Sequence, residues 1–174
     1  MMGSLSLDLG PRPDNLRNGE GALIDLRDGQ ILFAYSKFKG NAVKDHEAAD
    51  LAIMVSEDGG CSFHEAGVVL TCDSINAENV MSVSLMRMQN GDVGLFYLNR
   101  QTLNLMRMYL IRSADEGASW SEPVLCTPEE GFFVVNNDRV VRLSDGTIVI
   151  PAAIHRKGFC DFPNEAGEGY YDSR

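Results

Sequence analysis

A chain of 174 residues with 44% apolar content holds enough material for a packed core, as one domain or as part of a larger one. Its formal net charge of −10 argues against a nucleic-acid partner, whose phosphates select Lys/Arg patches, and disfavours adsorption to an anionic membrane. An acidic ligand is not excluded, because a few converging guanidiniums reverse the field locally.

In chain order, the first predicted strands cover residues 22–26 and 31–36 and flank Asp28-Gly29, a dipeptide that supplies the positive φ of a two-residue hairpin. A third strand, 51–55, runs into Ser56-Glu57-Asp58-Gly59-Gly60-Cys61-Ser62-Phe63, and a fourth follows at 66–71. The pattern then repeats. Strands at 81–88 and 93–99 flank Asn90-Gly91, a third covers 105–112, Ser113-Ala114-Asp115-Glu116-Gly117-Ala118-Ser119-Trp120 follows, and a fourth strand covers 123–127. Leu and Met propensity also allows short helices at 84–88 and 106–110, but the phase of the repeat selects strands. A third unit begins with strands 134–143 and 147–153 around Asp145-Gly146, and a polar, Gly-rich loop is expected over 158–174.

The two eight-residue segments share S-x-D-x-G-x-S-aromatic and stand 57 residues apart. Their chemistry is that of a turn: the Asp carboxylate accepts backbone N–H groups, Gly60 and Gly117 take the left-handed conformation, and Ser62 and Ser119 bond the backbone locally. Phe63 and Trp120 then pack between sheets. Asp58 and Asp115 are therefore structural, and the alternating acidic ligands of a calcium loop are missing. Four-stranded antiparallel units repeated at this interval are the pattern of propeller blades.

The motif resembles the Asp-box, or BNR repeat, of the sialidases and their relatives, and the resemblance extends over residues 17–155. It implies an all-β fold, a six-bladed β-propeller of which this chain supplies about two and a half four-stranded antiparallel blades. An N-terminal segment (1–16) would precede the propeller part (17–174), with blade one at about 17–72, blade two at about 79–127 and the start of blade three at about 132–156. Sialidases similar to this chain remove a terminal sialic acid. They use three arginines on the sugar carboxylate, an Asp acid/base and a Tyr nucleophile paired with a Glu, a departure from the two-carboxylate scheme.

By that resemblance Asp45, in the link after the second strand, takes the acid/base place, with Asp50 in reserve. The family's first arginine lies in an F/Y-R-I-P segment; here Gly19 stands at that place, and Arg17 is two residues away. The remaining arginines, the Glu and the Tyr belong to later blades. In a propeller the innermost strands begin at the ligand end, and counting back nine from each turn finds Gly19–Glu20, Val80–Met81 and Asn136–Asn137. Arg17, Glu20, His46, Asn136, Asn137, Arg139 and His155 are accordingly the candidate substrate contacts. Arg139 either clamps a carboxylate or pairs with Asp138 or a neighbouring acid. His46 tunes Asp45 or touches substrate, and His155-Arg156 reaches the mouth of the site. Arg112 is expected to brace the neighbouring blade, and Met81, Met86, Met88, Met106 and Met108 to fill core.

The implied activity is exo-α-sialidase-like hydrolysis, with a sialylated or other acidic glycan as partner. The alternative is a non-catalytic carbohydrate- or protein-binding propeller, favoured by the missing F/Y-R-I-P segment, and a third reading is a glycosidase for a neutral sugar. A product of this length is expected to be silent and to associate through unpaired sheet edges. No metal and no cofactor are expected: Cys61, Cys72, Cys126 and Cys160 share no C-x-x-C or His spacing and read as reduced, largely buried thiols. No run approaches the ~20 apolar residues of a membrane span, and no secretory signal is visible in residues 1–13, so a cytoplasmic location is expected.

Overall fold

The computed structural model describes residues 4–155, with the Glu20 side chain and residues 1–3 and 156–174 outside the description. The strands are β1 (Asn18–Asp25), β2 (Ile31–Phe38), β3 (Ala49–Ser56), β4 (His64–Leu70), β5 (Asn79–Arg87), β6 (Val93–Thr102), β7 (Leu105–Ser113) and β8 (Val124–Leu125). Four short ones follow: β9 (Phe132–Val134), β10 (Val141–Arg142), β11 (Ile148–Val149) and β12 (Ala153–His155). A single 3-10 turn at Asp73–Ile75 is the only helical element among the described residues, so 84–88 and 106–110 are strand, as the repeat phase required. The strands β1 to β4 form one antiparallel meander in chain order, and β5 to β8 form a second, which the short β9 extends by a parallel pairing with β7 and β12 by an antiparallel pairing with β9; β10 and β11 pair only with each other. The two sheets pack face to face, the arrangement of adjacent blades in a partial β-propeller.

The strand β6 shows why these residues make a buried sheet. Its run Val93-Gly94-Leu95-Phe96-Tyr97-Leu98 is buried throughout, and period-two alternation divides it between two cores. Val93, Leu95 and Tyr97 join Leu32, Ala34, Leu51 and Ile53 of the first sheet, whereas Phe96 and Leu98 meet Met106, Met108, Phe132 and Val140 on the other face. Met81, Met86 and Met88 pack against that second cluster, so the methionines are core filling. Leu7 and Leu9 of the leading segment cover Tyr35, Ala52 and Met54 on the outer face of the first sheet. The thiols are free but not uniformly buried: Cys72 is buried, Cys126 half-buried and Cys61 exposed, while Cys160 lies outside the described residues.

The hairpin turns differ from expectation in one respect. Gly29 N–H donates to Leu26 O and Leu26 N–H to Gln30 O, which closes a three-residue loop, and the same pair of bonds recurs at Gly91 and Gly146. A two-residue type I′ loop needs positive φ at both central residues, but here only the glycine has it (φ +86° at Gly29). The eight-residue turns are built alike. Asp58 Oδ1 accepts Ser56 Oγ–H at 2.8 Å and Ser62 N–H at 2.8 Å, and Oδ2 accepts Ser62 Oγ–H at 2.6 Å. Asp115 repeats all three contacts with Ser113 and Ser119. Ser62 and Ser119 thus bond the carboxylate rather than the backbone. The hydroxyl bonds from Ser62 and Ser119, first among several, hold both carboxyls down to about 2. Trp120 lies against the inter-sheet core, while Phe63 packs edge-on to Phe33 at 6.4 Å on the other face of the first sheet.

Between the sheets runs a charged clasp that the sequence placed at the wrong arginine. Arg87 forms a two-point pair with Glu116 (2.7 and 2.8 Å) and donates to Asp25 O at 3.0 Å. The Arg27 backbone N–H donates to Glu116 Oε2 at 3.0 Å, and its guanidinium donates to Gly91 O at 2.7 Å. Arg112 is exposed, with no side-chain hydrogen bond or ion pair to any described residue. The third unit also departs from its predicted strands. The stretch 134–143 breaks because its backbone docks on β5: Asp138 N–H donates to Val83 O at 2.9 Å and Arg139 N–H to Ser84 Oγ at 3.1 Å. Asp138 takes φ +53° at the break. Likewise 147–153 is reduced to β11 and the start of β12.

Two outcomes follow. Carboxyls depressed in the fold contribute stability above their unfolded value, about 3.9, that disappears as pH falls through about 2. Urea midpoints of the wild type should therefore decline between about pH 4 and pH 2, and Asp58→Asn with Asp115→Asn should lower the midpoint at pH 7 and flatten that decline. Glu116→Gln should cost about 1 kcal/mol, a drop of about 2–4 °C in Tm, whereas Arg112→Ala should leave Tm unchanged.

Candidate active site

At one end of the packed sheets the three inner chain segments diverge around a cavity of about 610 Å³, a size suited to a small ligand. Its walls come from Arg17, Asn18 and Gly19 at the start of the first unit, Met81 and Ser82 of the second, and Asn136 and Asn137 of the third. Each start is irregular. Pairing of β1 with β2 slips between Asn18 and Gly21, pairing of β5 with β6 slips between Met81 and Ser84, and Ser82 holds φ +57°. Such bulges re-aim side chains away from the sheet, here toward the cavity. The β1 bulge demands glycine, because a Cβ on Gly21 would stand 2.2 Å from Ala34 O.

The link 39–48 between β2 and β3 forms the rim. Arg17 stacks over Phe38 at 4.6 Å, donates to Val43 O at 2.8 Å, and pairs through Nη2 with Asp45 Oδ1. The Asp45 side chain is 72% exposed and meets solvent. Within the link, Glu47 Oε2 accepts the N–H groups of Val43 and Lys44 at 2.5 and 2.7 Å, bonds that lower its carboxyl from the ordinary value. The second sheet then pins the link from outside: Asn79 Nδ2 donates to Glu47 O, and Arg100 Nη2 donates to His46 O.

Five of the expected residues, Arg17, Asp45, His46, Asn136 and Asn137, line this one cavity. Glu20 stands in β1 at the bulge, and its side chain lies outside the described residues. Arg139 instead borders a shallower depression with Ile150 and Pro151; it is exposed and forms no ion pair among the described residues, with Asp138 or otherwise. His155 ends β12 and lies edge-on to Phe132, 6.0 Å between ring centres, so it backs a wall residue and does not form the wall. Arg156 lies outside the described residues. Asp50 accepts the Cys72 N–H at 2.9 Å and is engaged in the sheet, away from the cavity. Among the described residues no three His, Cys, Asp or Glu side chains gather to hold a metal.

Arg100 escaped the sequence reading. It ends the buried run of β6 and is 5% exposed, with Nη2 also 3.1 Å from Glu78 Oε2. Burial pulls its guanidinium below its ordinary value. The available signal was a cation closing a continuous apolar strand, at the strand end that corresponds to the link bearing Asp45 in the first unit.

The fold has counterparts among solved structures. The chain superposes on the Hadza microbial sialidase Hz136 with a TM-score of 0.67 at 18% identity, over 83% of this chain and 34% of that one. It superposes on an endo-arabinase from Bacteroides thetaiotaomicron with a TM-score of 0.62 at 15% identity, over 87% of this chain and 56% of that one. It is similar also to an α-L-arabinanase from Penicillium chrysogenum, with a TM-score of 0.55 at 16% identity, covering 85% of this chain and 45% of that one. The shared fold is that of propeller glycosidases. At these identities the likeness concerns the fold alone, and the chain spans between a third and somewhat over half the length of those structures. No protein-family model matches the chain, and no curated protein matches it in sequence.

Within that glycosidase-like fold the link bearing Asp45 depends on its outside pins. Asn79→Ala should raise amide exchange at Val43, Lys44 and Glu47 roughly fivefold, the worth of one net hydrogen bond, with β2 amides unchanged. Unaltered exchange would mean that the Glu47 clamp, with the Arg17 and Arg100 contacts, holds the link without Asn79.

Proposed function

We propose that the protein is a glycoside hydrolase of the sialidase type, acting on a terminal sialic acid or related acidic sugar. The observation that supports this most is the Arg17–Asp45 pair at the rim of a cavity lined by three successive inner-strand starts. In this reading Asp45 protonates the departing glycosidic oxygen and afterwards takes a proton from the incoming water. Arg17, braced on Phe38, turns from Asp45 to the sugar carboxylate when substrate enters, which frees Asp45 to carry its proton, and Asn137, Asn136 and His46 meet the sugar hydroxyls. No tyrosine lines the cavity among the described residues, so the nucleophile that the sialidase resemblance implies, a Tyr paired with a Glu, is assigned to chain beyond these blades.

A second reading is a propeller that binds a glycan without cleaving it; the Gly19 that stands in place of the F/Y-R-I-P arginine favours it. The arabinanase likenesses suggest a third, hydrolysis of a neutral sugar. Asp45→Asn in the full-length translated protein separates them. Turnover of a sialoside with a poor leaving group should fall at least ~100-fold, with a smaller loss for an activated aryl leaving group and disappearance of the alkaline limb of the pH profile. Undiminished turnover of the poor-leaving-group substrate would remove Asp45 from the mechanism, and absence of any turnover by the wild type with retained glycan binding would favour the binding module.

A further inference from the structure

We infer that Asn15, in the leading segment, is a positioning residue of the candidate site that sets the aim of Arg17; its bearing on turnover rests on the glycosidase reading of the same site. Asn15 is 4% exposed, whereas its chain neighbours Asp14 and Leu16 are exposed. A polar side chain buried within an exposed turn has to be bonded. Asn15 Nδ2 donates to Arg17 O and to Phe38 O, both at 2.7 Å. Both partners are acceptors, so only the NH2 end of the amide fits between them. The register of β1 with β2 begins at Asn18 and Lys37, and just outside it the Phe38 N–H donates to Arg17 O at 3.2 Å. Asn15 therefore ties the two strand ends together where the ladder gives out.

The two residues that Asn15 joins are the two whose side chains stack. Arg17 lies over the Phe38 ring at 4.6 Å and from there reaches Val43 O and Asp45. Those rim contacts hold the far end of the arginine, and Asn15 holds its root, the pivot from which the guanidinium turns. The turn carrying Asn15 is itself fixed. Arg12 and Asn15 exchange backbone bonds of 2.8 and 3.0 Å, and Gly40 N–H donates to Asp14 O at 2.9 Å. Water could satisfy each carbonyl separately, but it would not keep them at one spacing. Aim matters here, because a misplacement of about 1 Å in a site can cost ~100-fold in rate. The leading segment is thus part of the site and more than a cover for the outer face of the first sheet.

The test joins side-chain NMR to a double-mutant cycle on the full-length protein. In the wild type the Arg17 Nε–H should show a cross-relaxation contact with the Phe38 ring protons. In Asn15→Ala that contact should weaken by about twofold or more, and the Arg17 Nε–H should exchange with solvent about tenfold faster. Glu116→Gln, which loosens the clasp outside the cavity, should leave both readings unchanged, and so separates lost aim from lost stability. With a sialoside bearing a poor leaving group, Asn15→Ala should lower kcat/KM about tenfold. In an Arg17→Ala background the same change should cost less than about twofold, because residues that act through one another do not add. An Arg17 contact absent from the wild type or unchanged in Asn15→Ala, or equal losses in the two backgrounds, would each overturn the assignment. Should Asn15→Ala not fold, Asn15→Ser decides: its single hydroxyl donor serves one carbonyl at most, so faster Arg17 exchange supports the assignment and unchanged exchange refutes it. A wild type without turnover whose Arg17 contact still depends on Asn15 would sink the glycosidase reading and leave the positioning role standing. Turnover and Arg17 contact both untouched by Asn15→Ala would do the reverse.

Discussion

Face-to-face burial of β6 between two cores is the constraint on which the rest depends. Leu95 and Tyr97 point into one cluster and Phe96 and Leu98 into the other, so this strand is apolar on both faces and tolerates water on neither. That double burial forces the neighbouring sheets to stack, and stacking brings the inner edges together at one end. Where those edges begin, regular pairing fails at Asn18–Gly21, at Met81–Ser84 and around Asp138, and the cavity occupies the space the bulges open. The clasp of Arg87, Arg27 and Glu116 ties the first turn of each sheet to the Asp turn of the second.

Much of this was readable in the residues. Two eight-residue turns and three glycine hairpins set the strand order, and counting back from the hairpins gave Gly19–Glu20, Val80–Met81 and Asn136–Asn137; of these Gly19, Met81, Asn136 and Asn137 line the cavity, whereas Val80 is buried in the inter-sheet core. Such periodic features are local: a carboxylate that must cap its own turn leaves its mark within eight residues. What local pattern does not encode is the partner across a sheet interface. Arg112 was expected to brace the neighbouring sheet because it adjoins the second Asp turn, but Arg87, on β5, has the reach to Glu116 and Asp25. The 134–143 strand broke for a related reason. Its donors found Val83 O and Ser84 Oγ on another element, a choice visible only once the sheets are stacked.

The site shows the same division. Asp45 was singled out by its position before the first Asp turn and Arg17 as a neighbour of the place counted back from the first hairpin, and the structure sets the two against each other at the cavity rim. Arg100 was not, because a charged residue at the end of a strand ordinarily reads as the point where chain returns to solvent. Its polar partners are Glu78 and the His46 carbonyl, both far from it in the chain. His155 and Arg139 stood at the right distance along the chain, yet the irregular third unit carried one behind Phe132 and the other to a separate depression.

The central claim, that three inner-strand starts form one ligand site, is tested most directly by the methionine methyls. Met81 and Met106 line the cavity, while Met54 lies in the outer core of the first sheet and Met108 is fully buried in the second. Titrating methyl-labelled full-length protein with N-acetylneuraminate should shift the Met81 and Met106 resonances together and leave Met54 and Met108 in place. Shifts confined to Met54, or uniform across all four, would contradict a site at the convergence of the inner strands.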